Sequence, residues 1–207
     1  VFGLINGKEF WNGPYIPISF IVSGAMAGGF AVLFSTMVAY KANGWEMSEA
    51  MKNAMAAVVK VTIFFIATVV FFSIWQLISN IAGAPTGKYE SMQLLLSGKY
   101  KYNFWIGEIA LSIVIPFILL FLSKGQNVQM IFLAVVAGLV GTYFMRYDMV
   151  IVGQLVPHYH GMGLVDYPEY FRYAPTLHEL VITLGGFGLW GFLFLLGEKL
   201  FKGHCSD

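Results

Sequence analysis

The stretch VQMIFLAVVAGLVGTYFMRYDMVIV, Val128 to Val152, decides the fold. Through Met145 it carries no charged side chain, and then it places Arg146 and Asp148 two residues apart in the same apolar run. A hydrocarbon core about 30 Å thick takes roughly 20 residues of helix at about 1.5 Å each, so this stretch is long enough to cross a bilayer. Similar runs lie near 16–40, 57–81, 104–123 and 177–197. Lipid offers no hydrogen bonds to a backbone, which leaves helices and closed barrels as spanning structures. Continuous apolar runs fit helices rather than the short alternating strands of a barrel. The sequence therefore predicts an all-α, polytopic transmembrane bundle of about five spanning helices.

The composition agrees. Hydrophobic residues make up 58% and charged residues 11% of the 207 positions, against about 45–50% and about 25% in soluble domains. The length suits one helical domain over 1–207. A net charge of +1 gives no footing for nucleic acid. Cys205 is the only cysteine, so the chain by itself builds no internal disulfide, iron-sulfur cluster or cysteine-ligated zinc site. No basic segment precedes a short apolar core at Val1, so no signal peptide is expected and insertion falls to the spanning helices.

Working outward, the first helix opens at Pro14 and Pro17, where a missing N–H costs little. Gly24 with Gly28, and Ala25 with Gly29, form small-residue pairs four apart, the spacing that lets membrane helices approach closely. Residues 41–52 read as a short amphipathic linker, with Lys60 snorkelling from the second helix. Residues 83–101 read as a longer loop, ending in the interfacial aromatics Tyr100, Tyr102, Phe104 and Trp105. Pro116 is expected to kink the third helix, and Lys124, Gly125 and Asn127 to join it tightly to the fourth. Lysines and arginines divide almost evenly between the two sides, so the charge bias decides little; a cytoplasmic C-terminus is the orientation expected.

Ionisable groups at membrane depth are costly and so are functional candidates. Glu108 stands about one turn inside the aromatic belt, either as a helix N-terminal carboxylate or as a proton acceptor. Arg146 keeps its charge in any environment and is expected to pair with Glu108, Asp148 or Glu179, or to hold a polar cavity for a quinone carbonyl or a proton path. Glu108, Arg146, Asp148, His178 and Glu179 are thus the proton-transfer candidates. The polar connection from Arg146 to Glu179 adds Gln154, His158, His160, Asp166 and Tyr173 as candidates for partner docking or the quinone side. Thr176 with Glu179 also reads as a capping box, which explains that glutamate without catalysis. His158 and His160 follow Pro157 in a loop rather than on a rigid inward helix face, so haem ligation is not expected, and no metal site is.

In order, Pro14-Tyr15-Ile16-Pro17, Ser23-Gly24-Ala25-Met26-Ala27-Gly28-Gly29, Phe104-Trp105-Ile106-Gly107-Glu108, Arg146 with Gln154 and Pro157, and Tyr173-Ala174-Pro175-Thr176-Leu177-His178-Glu179 resemble the NrfD/PsrC family of quinone-interacting membrane subunits. The last motif has threonine where the family has serine. The resemblance covers nearly the whole chain, and looks like the second half of a longer member of the Hmc or Dsr complex type. It implies a multi-pass subunit of the cytoplasmic membrane in an anaerobic respiratory redox complex. That subunit would exchange electrons between a peripheral iron-sulfur subunit and menaquinone or another quinone, with cytochrome subunits and an N-terminal NrfD half as further partners. The quinone pocket would then lie mainly in that other half. Two readings of other classes stand beside it: half of a secondary transporter or ion channel, and a purely structural membrane anchor whose polar connection docks a partner.

Overall fold

A computed structural model describes residues 8–85, 87–157, 159–160 and 168–201. Among them are six helices, with no strand: α1 Tyr15–Asn43, α2 Glu49–Ala82, α3 Lys88–Leu96, α4 Asn103–Ser123, α5 Val128–Leu155 and α6 Leu177–Phe201. All but α3 are long and apolar enough to cross a membrane. The chain is a multi-pass membrane protein, as its apolar runs predict.

The described residues up to Phe171 form one compact unit and those from Arg172 a second. In the first unit α1, α2, α4 and α5 form a ring, with α1 beside α2 and α5, and α4 beside α5 and α2. Sequence spacing explains the seams. The buried positions of α1 include Ile16, Ser19, Ser23, Met26, Phe30, Leu33 and Met37, alternately three and four apart. Those of α2 include Met55, Val59, Thr62, Ile66 and Val69, and those of α5 include Ile131, Ala134, Gly138, Gly141, Met145, Asp148 and Val152. A three-four alternation keeps one stripe facing a partner helix crossing at a shallow angle. Asp148 occupies a core position of that stripe.

Of the α1 glycines the sequence singles out, Gly29 packs closely and Gly24 and Gly28 do not. A Cβ on Gly24 or Gly28 would meet nothing within 4 Å. Gly29 does lie against Thr62, but the closest approach is at Gly141, where a Cβ would collide with the Ser112 nitrogen and come within 2.5 Å of Leu111 C and Ser112 Cα. Gly138 lies against the Phe30 ring and Gly107 against that of Phe144, at 2.6 and 2.5 Å from where a Cβ would stand. With no hydrophobic drive between helices in lipid, such close contact is what gains dispersion energy.

The turns differ from expectation in length. The α1–α2 linker shrinks to residues 44–48, because α1 runs on to Asn43 and α2 starts at Glu49. Gly44 sits at φ 66° and Ser48 accepts from the Met51 N–H at 3.2 Å, an αL stop followed by an N-cap. The α4–α5 connection is as tight as predicted. Lys124 and Gly125 have φ 49° and 75°, and Asn127 caps α5 by accepting from Met130 N–H at 3.1 Å. Within the expected loop at 83–101 the chain forms α3, whose Ser91, Met92 and Leu95 are buried.

Pro116 does not act alone on α4. Residues Asn103–Val114 form a π-helix, and α-helical bonding resumes at Ile115 with Pro116 in its first turn. A proline there lacks a donor that the change of register leaves idle. In α6, the Thr176–Glu179 capping box is present. Glu179 Oε2 accepts from the Thr176 N–H at 2.7 Å, and Thr176 Oγ1 accepts from the Glu179 N–H at 3.4 Å.

Candidate functional site

At the end of the ring where α1 begins and α5 ends, α1, α2, α3, α4 and α5 enclose a cavity. About 40 Å³ of it is open to the centres of water molecules, which is room for a few waters. Its polar lining is Tyr15, Ser19 and Ser23 from α1, Ser73 and Gln76 from α2, Glu108 from α4 and Asp148 from α5. Phe10, Met92, Leu95 and Phe104 close around them. Two carboxylates from different helices thus line one small cavity.

The π-helix sets this up. At roughly 4.4 residues per turn, Asn103, Glu108 and Ser112 fall within about 50° of one another. At about 3.6 per turn, Asn103 would face away from Ser112 by about 180°. In the π register Asn103 Nδ2 reaches Asp148 Oδ1 at 3.5 Å. Asp148 is 1% exposed, and its Oδ2 has no hydrogen-bond partner. Ser112 Oγ, one turn beyond Glu108, is also buried and unpaired. Buried unpaired polar atoms are costly and mark places where water or a ligand belongs. Above the cavity, burial and the Asp148 charge raise the pKa of the Tyr100 hydroxyl, which lies outside the spanning segments.

The helix ends are pinned near this site. Trp11 Nε1 donates to Met149 O at 2.8 Å, and Lys8 Nζ donates to Gln154 O and Val156 O at 3.2 Å each, capping the C-terminus of α5 with a cation where the dipole favours one. Burial lowers the Lys8 pKa.

Of the residues singled out from sequence, the fold brings Glu108 and Asp148 together. Arg146 points elsewhere, as its offset of two residues from Asp148 requires. Its guanidinium lies 4.3 Å from the Phe20 ring centroid, Nη2 donates to Phe20 O at 3.4 Å, and Nη1 is buried without a partner. The expected ion pair with Glu108 or Asp148 does not form, and Glu179 is engaged in the cap of its own helix; the one ion pair among the described residues is Lys52–Glu49. An aromatic face and a backbone carbonyl take the place of a carboxylate.

Gln154 has an exposed side chain, and its carbonyl holds Lys8. His160 places Nδ1 3.1 Å from Glu169 O, with its ring beside Tyr170. His158 and Asp166 lie outside the described residues. Tyr173 donates to Glu179 Oε2 at 2.9 Å and so belongs to the α6 cap, while His178 is exposed in the first turn of that helix. Among the described residues, no group of three or more His, Cys, Asp or Glu side chains could hold a metal. The sequence reading missed Tyr15, Ser19, Ser23, Ser73, Gln76 and Asn103. The signal was there: Tyr15, Ser19 and Ser23 recur every four residues along one helix face, and Ser73 and Gln76 continue the core stripe of α2.

The chain is 26% identical over 204 residues to a selenate reductase subunit of Mesobacillus selenatarsenatis, covering 97% of this chain and 46% of that protein. It is 23% identical over 156 residues to protein NrfD of Escherichia coli, covering 73% of this chain and 46% of that protein. The chain therefore spans about half the length of the curated relatives it matches. The family model described as polysulphide reductase, NrfD, matches residues 1–158, through every helix that lines the cavity. The chain belongs to the NrfD polysulphide reductase family.

Proposed function

We propose that this chain is part of a membrane subunit of a respiratory reductase complex, and that its bundle moves protons in support of quinone chemistry. The observation that carries this reading is the cavity in which Glu108 and Asp148 meet between membrane-spanning helices, lined by hydroxyls and large enough for water. Reducing a quinone takes up two protons and oxidising a quinol releases two, so carboxyl groups that exchange protons with water through a short relay serve either direction. The Tyr15 and Ser73 hydroxyls, together with water, would supply such a relay.

Electrons would come from a peripheral iron-sulfur subunit, since the chain's one cysteine cannot hold a cluster. The quinone, menaquinone or another, would sit against the remaining half of the subunit, and cytochrome subunits would complete the assembly. The cell membrane is the proposed location, and the selenate reductase relative supports the reductase context. Here Glu108 and Asp148 would take up and release protons. Asn103 would orient Asp148, and the polar connection that contains His158, His160 and Asp166 would dock the partner.

The experiment is quinol-linked electron transfer by the assembled complex carrying Glu108→Gln or Asp148→Asn. Slowed turnover with intact assembly is expected. Turnover unchanged in both variants would remove the proton role. A transporter half would instead show electrogenic uptake without any redox partner, and a structural anchor would lose its peripheral subunit while electron transfer in whatever remained assembled stayed normal.

A further inference from the structure

We propose that the Glu108–Asp148 cavity is also a binding site for a small monovalent cation of sodium size. The inference rests on the same two carboxylates as the proton role but not on quinone chemistry. Three features of the cavity point to it. The first is the direction of its hydroxyls. Ser19 Oγ donates to Ile16 O at 2.9 Å, and Ser23 Oγ donates to Ser19 O. Both serines therefore spend their protons on their own helix and have only oxygen lone pairs left for the cavity.

The second is Asp148, 1% exposed, lining the cavity with an Oδ2 that nothing in the chain satisfies. Its other oxygen has only the 3.5 Å contact from Asn103. The third is charge. Two acids share the space, and Arg146, the cation nearest in sequence, is turned to Phe20. A buried carboxylate must be neutralised by a proton or by a cation.

Carboxylates and hydroxyls from three helices are the ligand set of an oxygen-seeking cation. Beside the donors of Tyr15, Ser73 and Gln76, both carboxylates and the two α1 serines turn acceptor oxygens to the space, and carboxylate charge repels an anion. The strong field of carboxylate oxygens favours a small ion over a larger one, so sodium is preferred to potassium. Sodium and protons would compete for the same oxygens.

The test uses the complex purified from its membranes. An apolar carbodiimide reacts with a protonated carboxyl in lipid, and mass spectrometry of the Glu108 peptide reads the rate. Sodium chloride should slow labelling roughly tenfold at about ten times its dissociation constant, with potassium and choline chloride at the same ionic strength having no such effect. Asp148→Asn should abolish the protection, and Ser23→Ala should raise the sodium concentration it needs. Equal labelling rates in the three salts overturn the cation site while leaving the proton role standing. A second readout needs no labelling: the unfolding temperature of the wild-type complex should be higher in sodium than in potassium, and Asp148→Asn should erase the difference. Identical unfolding temperatures in the two salts for the wild type also overturn the site.

Discussion

Gly141→Ala is the sharpest perturbation of the bundle. The new methyl carbon would stand 2.5 Å from Leu111 C and Ser112 Cα. Ordinary contact begins at 3.4 Å and the Ser112 nitrogen stands nearer still, so α4 and α5 must part by at least about 0.9 Å, because the obstacle is backbone and cannot rotate away. Overpacking of this kind costs about 1–3 kcal/mol. At about 2–4 °C per kcal/mol for a chain of this size, the unfolding temperature should fall by several degrees. The same separation acts on the site. The Asn103–Asp148 contact is already 3.5 Å, and a further shift of about 0.9 Å would take it beyond hydrogen-bond reach. Quinol-linked turnover should therefore fall with stability. The control is Gly24→Ala, whose methyl meets nothing within 4 Å and should leave both readings within error. The assay is fluorescence-detected thermal unfolding of the complex in detergent, paired with turnover at a temperature where every variant is folded. A Gly141→Ala protein as stable and active as wild type, or a Gly24→Ala protein damaged more, would refute the packing described.

Other perturbations separate the site from its scaffold. Glu108→Gln should lower quinol-linked turnover by at least about a hundredfold, the low side of what a lost acid-base group costs, with subunit composition unchanged on size exclusion. Thr176→Ala or Glu179→Ala removes the α6 cap and should cost about 0.5–2 kcal/mol of stability with turnover per folded complex preserved; a collapse in turnover of intact complex would instead restore Glu179 as a proton carrier. Arg146→Met should destabilise by about 0.5–2 kcal/mol through loss of its contact with Phe20, and Phe20→Leu should reproduce most of that loss. Thermal unfolding of the two single variants and the double variant reads the coupling, and additive losses would contradict the contact.

The bundle was largely legible in the chain because apolar length leaves little choice in lipid. The five long runs became five long helices, and the capping box at Thr176 and the tight turn at Lys124–Gly125 formed where their residue types require. The three-four stripes of α1, α2 and α5 were present in the sequence but masked by neighbours equally apolar, since lipid-facing and core-facing positions share one composition. That masking is why Gly24 and Gly28 looked like the packing face when Gly29, Gly138 and Gly141 carry it. Arg146 was expected beside a carboxylate on charge alone, yet its place on the helix turns it to Phe20. The π register of Asn103–Val114 has no sequence signature of its own, and without it Asn103 could not be placed beside Asp148. Ser19 and Ser23, two of the seven polar residues lining the cavity, carry no charge to mark them out in an apolar run and so escape the reading. Helix α3 was hidden in a loop because its buried face is only Ser91, Met92 and Leu95.

The proposed proton role requires Glu108 and Asp148 to act as one unit inside one cavity. A double-mutant cycle on quinol-linked turnover tests it directly. Residues that work together are far from additive, so Glu108→Gln combined with Asp148→Asn should be little slower than the slower single variant. Two losses that multiply in full would mean that the carboxylates act independently, and would contradict a shared proton site.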